Sequence, residues 1–492
     1  MRSILPLSFA LLLLIAPALH AAEVPDLRTR KDGSDWSAFL GPTGDSKSTE
    51  KGILTKWPDE GPRILWQMKI AEGYAMPSIS RGRLFLFDRT KIEAPKVIAN
   101  DRGFDDVNRL RCLKSETGDE LWSFTYPTDF EDLLGYSGGP RCCPVIDDDR
   151  VYILGAEGVL HCLDVVKGAV KWKLDTVKEF GVVKNFFGVG ATPVIEGDLL
   201  ITQVGGSPPN QGRDVYDAGG KIEPNGTGIV ALNKHTGKVE YKITRELASY
   251  ATPTLATIGD RRWCFTLCRG GLVAFEPKTG KVDFQLPWRS GMLNSVNASS
   301  PVVVDDHVLI SECYEIGGAL LKLKPGAESG HEIVWSDKDK RDRLRSMKAH
   351  WNTPIHIDGY LYGCSGRNEP DSDLRCVELK TGKVMWTTMS VPYRVPDSKP
   401  DAQPLNLRLA RTSLLYADGH FIAMSEWGII VLLKVDPEKF DPVAVTLLQK
   451  ENFEEPEPLL KDPCWAAPIL SHGMLYLRGR HELVCLELIP KK

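Results

Sequence analysis

The sequence predicts an all-β fold, an eight-bladed β-propeller of four-stranded antiparallel blades. Three observations predict it. A module of short alternating strands and tight turns returns along the chain across residues 61–488. Its tail has one spacing: Gly118 to Trp122, Gly168 to Trp172, Gly237 to Tyr241, Gly280 to Phe284 and Gly382 to Trp386 are each four residues apart. The last module lacks its final strand, while a lone strand, Ile64 to Ile70, precedes the first. The two chain ends thus supply complementary parts of one blade, and closing a ring this way removes exposed sheet edges. A seven-bladed ring would leave the lone strand unexplained.

The elements follow in order. Residues 1–22 read as a signal peptide: Arg2, an apolar run from Ile4 to Ile15, then the small-residue stretch Pro17 to Ala22. Residues 23–60 are polar and turn-rich, with Trp36 to Pro42 as a docking segment. The modules start at Met76-Pro77, Cys143-Pro144, Thr192-Pro193, Thr252-Pro253, Ser300-Pro301, Thr353-Pro354, Arg411-Thr412 and Ala467-Pro468. The seventh has no proline and degenerates after Lys434. In each tail the glycine supplies unusual backbone angles, and the aromatic residue ends the outer strand, where it can pack on the neighbouring sheet. Cys112, Cys162, Cys376 and Cys485 share one slot with Ala231 and Ala274, so they read as small buried hydrophobes. Insertions fall at 88–108, 204–227, 337–350 and 389–410. The charged run from Asp337 to His350 reads as a solvated loop, with a short helix as the alternative.

The net charge of −4 argues against a nucleic-acid binder, which would carry a strongly basic face. The cysteines show no zinc spacing, so no metal ligands are assigned, and no Cys-x-x-Cys-His haem motif occurs. No catalytic residue can be named. The residues just before each inner strand converge on the entrance of the central channel. The candidates there are Tyr74, Arg141, Cys142, Cys143, Asn185, Asn297, His350, Trp351, Asn352, Arg411 and Trp465. Aromatic rings, amides and arginines in a funnel suit a flat or anionic ligand. They equally suit a plug whose members satisfy one another.

The repeat hydrophobic-x-Cys/Ala-Leu-Asp-x-x-Thr-Gly-x-x-x-Trp resembles the PQQ-like (pyrrolo-quinoline quinone) repeat of quinoprotein alcohol dehydrogenases and of BamB. With Trp36 to Pro42 as an opening segment, the chain is most similar to exported, planctomycete-type PQQ-binding-like propeller proteins. The resemblance implies two readings. One is an exported, non-catalytic scaffold or binding protein of the cell envelope, BamB-like. It would be periplasmic or extracellular and monomeric, without a transmembrane segment in the mature chain, and would meet envelope proteins or polysaccharide through its loops. The other is a PQQ- and calcium-dependent dehydrogenase of an alcohol or sugar. In methanol-dehydrogenase-like members an adjacent cysteine pair forms a ring disulfide against the quinone, as Cys142-Cys143 could here; two buried thiols are the alternative. Glu312, Asp214 and Asp217 lie in loops without a local match to the calcium site or to the catalytic base of those enzymes.

Overall fold

The structure, a computed structural model, describes residues 23–92, 106–212, 214–395, 399, 401, 403–450 and 457–491. The signal-peptide assignment, most of the 88–108 insertion and most of the acidic stretch 451–457 lie outside the described residues. Eight four-stranded antiparallel sheets succeed one another along the chain. Blade 1 begins at Ser78–Ser80, and blade 8 comprises Ile469–Ser471, Met474–Arg478 and Glu482–Glu487. The missing fourth strand of blade 8 is Ile64–Lys69, which pairs with Glu482–Glu487. The ring closes as expected.

The tail spacing has a packing cause. The glycine that turns one blade's tail lies under the aromatic residue of the preceding blade. A Cβ at Gly168 would lie 2.5 Å from Trp122, at Gly237 2.7 Å from Trp172, and at Gly382 2.9 Å from Trp335. Each of these glycines also has a positive φ, 68°, 71° and 68°. The indoles are then fastened by hydrogen bonds to backbone carbonyls: Trp122 to Val165 at 3.1 Å, Trp172 to Lys234 at 3.0 Å, Trp335 to Leu379 at 2.7 Å. A further copy, Gly330 beneath Phe284, escapes the four-residue rule because blade 5 carries one more residue before Trp335.

The Cys/Ala slot has a cause as well. Cys112 pairs with Trp122, Cys162 with Trp172, Ala231 with Tyr241, Ala274 with Phe284, and Cys376 with Trp386. Cys485 pairs with Trp66 across the closing seam. In these six blades a small residue stands where a ring lies opposite, whereas blade 5 sets Leu320 against Trp335. All four slot cysteines are fully buried.

Two expectations need correction, and one insertion gains a structure. Blade 7 is not degenerate after Lys434, since its outer strand Asp441–Leu447 is in place. The run from Asp337 to His350 is not a solvated loop. It contains the short 3₁₀ turn Asp342–Leu344, and its second half, Arg345 to Ala349, is buried. The Asp337 carboxylate, fully buried, accepts from the backbone N–H groups of Gly318, Ser346 and Met347 at 2.9–3.1 Å and from Lys340 Nζ at 2.9 Å. Asp337 with Lys340, and Asp342 with Arg345 and Lys348, are thus paired inside the loop, while Lys338, Asp339, Arg341 and Arg343 stay exposed, so the run is solvated only in its first half. The 389–410 insertion is a two-stranded hairpin, Ser390–Tyr393 with Leu405–Arg408.

The segment before the ring straps the end of the channel opposite the funnel. Trp36 bridges Ile79 of blade 1, the Ser37 carbonyl accepts from Ile146 of blade 2, and Lys47 bridges Tyr416 of blade 7. The Ser34 carbonyl accepts from Ser471 of blade 8 at 2.8 Å. All four partners lie on inner strands. Trp36 is fully buried, and Gly41, with φ of 81°, lets the chain turn across its ring. Among the described residues no helix is long and apolar enough to cross a membrane.

Candidate functional site

Where the inner strands begin, three blades each hand a hydrogen bond to the next. Cys143 N donates to Thr192 Oγ1 and Thr192 N to Thr252 Oγ1, both at 3.2 Å, and Ser300 N donates to Thr353 Oγ1 at 3.1 Å. Cys143 thus occupies the position that threonine fills in several siblings. Both Cys142 and Cys143 are free, buried thiols, and burial pushes the Cys143 thiol up to about 12.

Above this girdle the channel widens into a cavity of about 230 Å³. Eight of the eleven funnel candidates line it: Tyr74, Arg141, Cys143, His350, Trp351, Asn352, Arg411 and Trp465. The other three face elsewhere. Cys142 packs in the core between blades 2 and 3. Asn185 accepts from Arg269 at 2.7 Å, and Asn297 donates to the Cys268 carbonyl at 2.6 Å. The last two amides fasten loops rather than face the cavity.

The wall is a chain of aromatic contacts. Tyr314 meets His350, His350 meets Trp351, Trp351 meets Trp465 and Trp465 meets Tyr74, with centroid separations of 5.5, 4.4, 4.8 and 4.7 Å. Tyr136 continues from Trp465 at 5.7 Å to Phe187 at 5.8 Å, and Phe187 meets Tyr250 at 5.6 Å. Tyr250 holds this arc by accepting from the Phe187 backbone N–H at 2.7 Å. Phe39 and Leu40 of the N-terminal strap also line the cavity and close its lower end.

Three guanidinium groups are set into the wall. Arg411 lies over Trp351 and Trp465, 4.9 and 5.1 Å from the ring centres, Arg141 over Tyr74 at 5.5 Å, and Arg367 over Tyr314 at 4.5 Å. Two are neutralised from behind. Arg141 pairs with the buried Asp132 at 2.6 Å, and Arg411 pairs with Glu426, which also accepts from the Trp465 indole at 2.8 Å. Desolvation pulls the Arg141 guanidinium down, and Asp132 partly offsets this. Arg367 forms no ion pair among the described residues. His350 is held neutral: burial first, then the nearby Arg411, pulls it to about 3, and its Nε2 lies 3.1 Å from the Tyr314 hydroxyl.

Among the described residues the lining includes no aspartate or glutamate. A calcium-quinone centre needs several converging oxygen ligands and a base at the substrate hydroxyl. The carboxylates nearest the wall, Asp132 and Glu426, are engaged by Arg141 and Arg411. Glu312 is buried against the Ser295 hydroxyl, and Asp214 accepts from the backbone N–H groups of Tyr216 and Asp217 at 2.9 Å. Among the described residues no cluster of His, Cys, Asp or Glu could hold a metal. The donor set does not fit that cofactor pair.

Sequence reasoning missed Arg367, Tyr314 and Tyr136 as wall residues. They precede no inner strand but come from loops that fold back over the funnel, so position relative to Pro could not find them.

A family model described as outer membrane protein assembly factor BamB matches residues 106–388, more than half of the chain. Among solved structures, BamB from Moraxella catarrhalis superposes with a TM-score of 0.50 at 12% identity, over 87% of this chain and 98% of that one. Quinohemoprotein alcohol dehydrogenase from Comamonas testosteroni superposes with a TM-score of 0.57 at 10% identity, over 93% of this chain and 81% of that one. At these identities the likeness shows the fold. No curated protein sequence matches the chain.

Proposed function

The chain belongs to the PQQ-like repeat propeller family of the outer-membrane assembly factor BamB, and from that premise we propose that it is an exported, non-catalytic binding protein of the cell envelope. In this reading a small ring-shaped ligand is held in the channel, and the blade edges and loops are offered to envelope partners. One observation carries it: the cavity wall sets three arginines among aromatic rings, with no carboxylate in its lining. Such a wall recognises an anion and presents no carboxylate base to it. BamB, in the same family, is named as an assembly factor, which supports protein partners here.

The test is reconstitution of the purified chain with PQQ and Ca²⁺. The expected result is no dye-linked oxidation of alcohols or sugars. Turnover would overturn the non-catalytic reading and establish the alternative, a quinoprotein dehydrogenase. The repeat type, the export signal and the adjacency of Cys142 and Cys143 favour that alternative, but Cys142 packs away from the cavity.

A further inference from the structure

We infer that the channel cavity recognises a single hydroxylated sugar ring bearing one anionic group, the acidic end of a saccharide. This rests on the reading of the channel as a binding site and names its ligand class.

Four features point to this chemistry. The first is shape. Neighbouring rings along the wall meet at 44–79°, so they form a curved cup and not one flat platform. A puckered ring presents C–H groups in several directions and can meet several tilted aromatic faces at once. A flat fused ring system would lie against one of them.

The second is size. At about 230 Å³ the cavity sits below the usual range of roughly 300–1,000 Å³ for ligand sites. That suits one ring with its substituents. Phe39 and Leu40 close the lower end, so a polymer cannot thread through, and what enters is an end.

The third is charge. Arg141 and Arg411 are balanced by Asp132 and Glu426, whereas Arg367 has no carboxylate partner among the described residues. One uncompensated guanidinium in the wall calls for one anionic group.

The fourth is the pairing of unmet donors and acceptors. Two successive lining residues each carry a buried polar atom without a hydrogen-bond partner: Trp351 Nε1 and Asn352 Oδ1. Trp351 can only donate and Asn352 Oδ1 can only accept. Hydroxyl groups do both, so a polyhydroxylated ligand answers the two together once these side chains turn toward the cavity.

The experiment is calorimetric titration of the exported chain, residues 23–492, in low salt. The probes are trigalacturonate, its methyl ester, galactose 6-sulfate, AMP and PQQ. Binding of trigalacturonate is expected. Methyl esterification or Arg367→Ala should weaken it about tenfold, the scale of one lost charge-assisted contact. Tyr136→Ala, at an exposed rim residue whose loss leaves both buried ion pairs intact, should weaken it too. Binding of galactose 6-sulfate in place of the uronate would support the same chemistry from a sulfated source. Equal affinity for the neutral ester, or affinity indifferent to both substitutions, would overturn the proposal. Binding of AMP or PQQ in place of sugars would overturn the ligand class while leaving the channel as a binding site. Binding of none of the five would overturn both.

Discussion

Leu432 faces Ala444 across the outer strands of blade 7, the reverse of the arrangement in six other blades, where a cysteine or alanine faces an aromatic ring. The bulk has moved from the outer strand to its neighbour, and the space between them is still filled. The seventh module looked degenerate because its bulky and small positions are exchanged, not because its strand is lost. Within each blade close packing ties the two facing volumes to the space its neighbours leave; blade 5 has room for Leu320 against Trp335, while blades 6 and 7 pair one large residue with one small. Replacing Cys376, which faces Trp386, by leucine should therefore overpack blade 6 and cost about 1–3 kcal/mol in urea denaturation. Leu432→Cys in blade 7 should cost a similar amount by leaving a void. Equal tolerance of both changes would show that the facing pair is not the constraint.

The glycine docks predict a contrast between two turns. At Gly237, φ is 71° and a Cβ would lie 2.7 Å from Trp172; at Gly259, φ is 59° and nothing lies within 4 Å. Gly259→Ala should cost about 1 kcal/mol, the left-handed backbone alone. Gly237→Ala should cost about 2–3 kcal/mol more, because the indole must leave its carbonyl partner and its packing. Thermal denaturation of the two variants reads the difference directly.

The Arg411–Glu426 pair is largely buried, with 16% and 7% of the two side chains exposed. Breaking such a pair strands a charge, which costs more than replacing both partners. Arg411→Met should destabilise the protein by about 3 kcal/mol, and the double change Arg411→Met with Glu426→Leu by less than the single one. Trp465 should report the loss in its fluorescence, since its indole shares Glu426. A double variant worse than the single would refute this account.

Glu312 gives a pH signature. Burial pushes its carboxyl from the ordinary 4.5 up to about 7, with the Ser295 hydroxyl and Arg289 pulling the other way. A carboxyl raised on folding binds more protons in the folded than in the unfolded state between those values, so stability falls as pH rises from about 4.5 to 7. Glu312→Gln should remove that fall and be more stable than the parent at pH 8, by up to about 3 kcal/mol. Denaturation midpoints at pH 5 and pH 8 test it; an unchanged slope would rule out Glu312 as its source.

The strap should release at alkaline pH. His472 of blade 8 holds Asp35 at 3.0 Å. Burial opposes its protonation, but the hydrogen bond to Asp35 wins and raises its pKa above the ordinary 6.5. The stability it contributes is complete below 6.5 and is lost as pH climbs through the raised value. Limited proteolysis of residues 23–48 should be slow at pH 6 and faster at pH 8.5, and Asp35→Asn should flatten that dependence. A flat profile in the parent would sink the idea.

The sequence by itself determined the ring. Glycine-to-aromatic spacing, the Cys/Ala slot and the stray strand before the first module record contacts that recur in nearly every blade, and repetition makes a local constraint legible. It also located most of the funnel, because Pro marks the start of an inner strand and the residues before it must face the channel. What only the tertiary structure decided was the chemistry of that funnel. Arg367 and Tyr314 come from loops of different blades, Tyr136 from another, and Phe39 with Leu40 from a strap that crosses to the opposite end. No spacing along the chain encodes their meeting, because it depends on how the closed ring turns separate loops toward one axis. The same holds for electrostatics. Nothing in the sequence distinguishes Arg141, Arg367 and Arg411 by charge balance; only the folded chain places Asp132 behind Arg141 and Glu426 behind Arg411, with no such partner for Arg367 among the described residues.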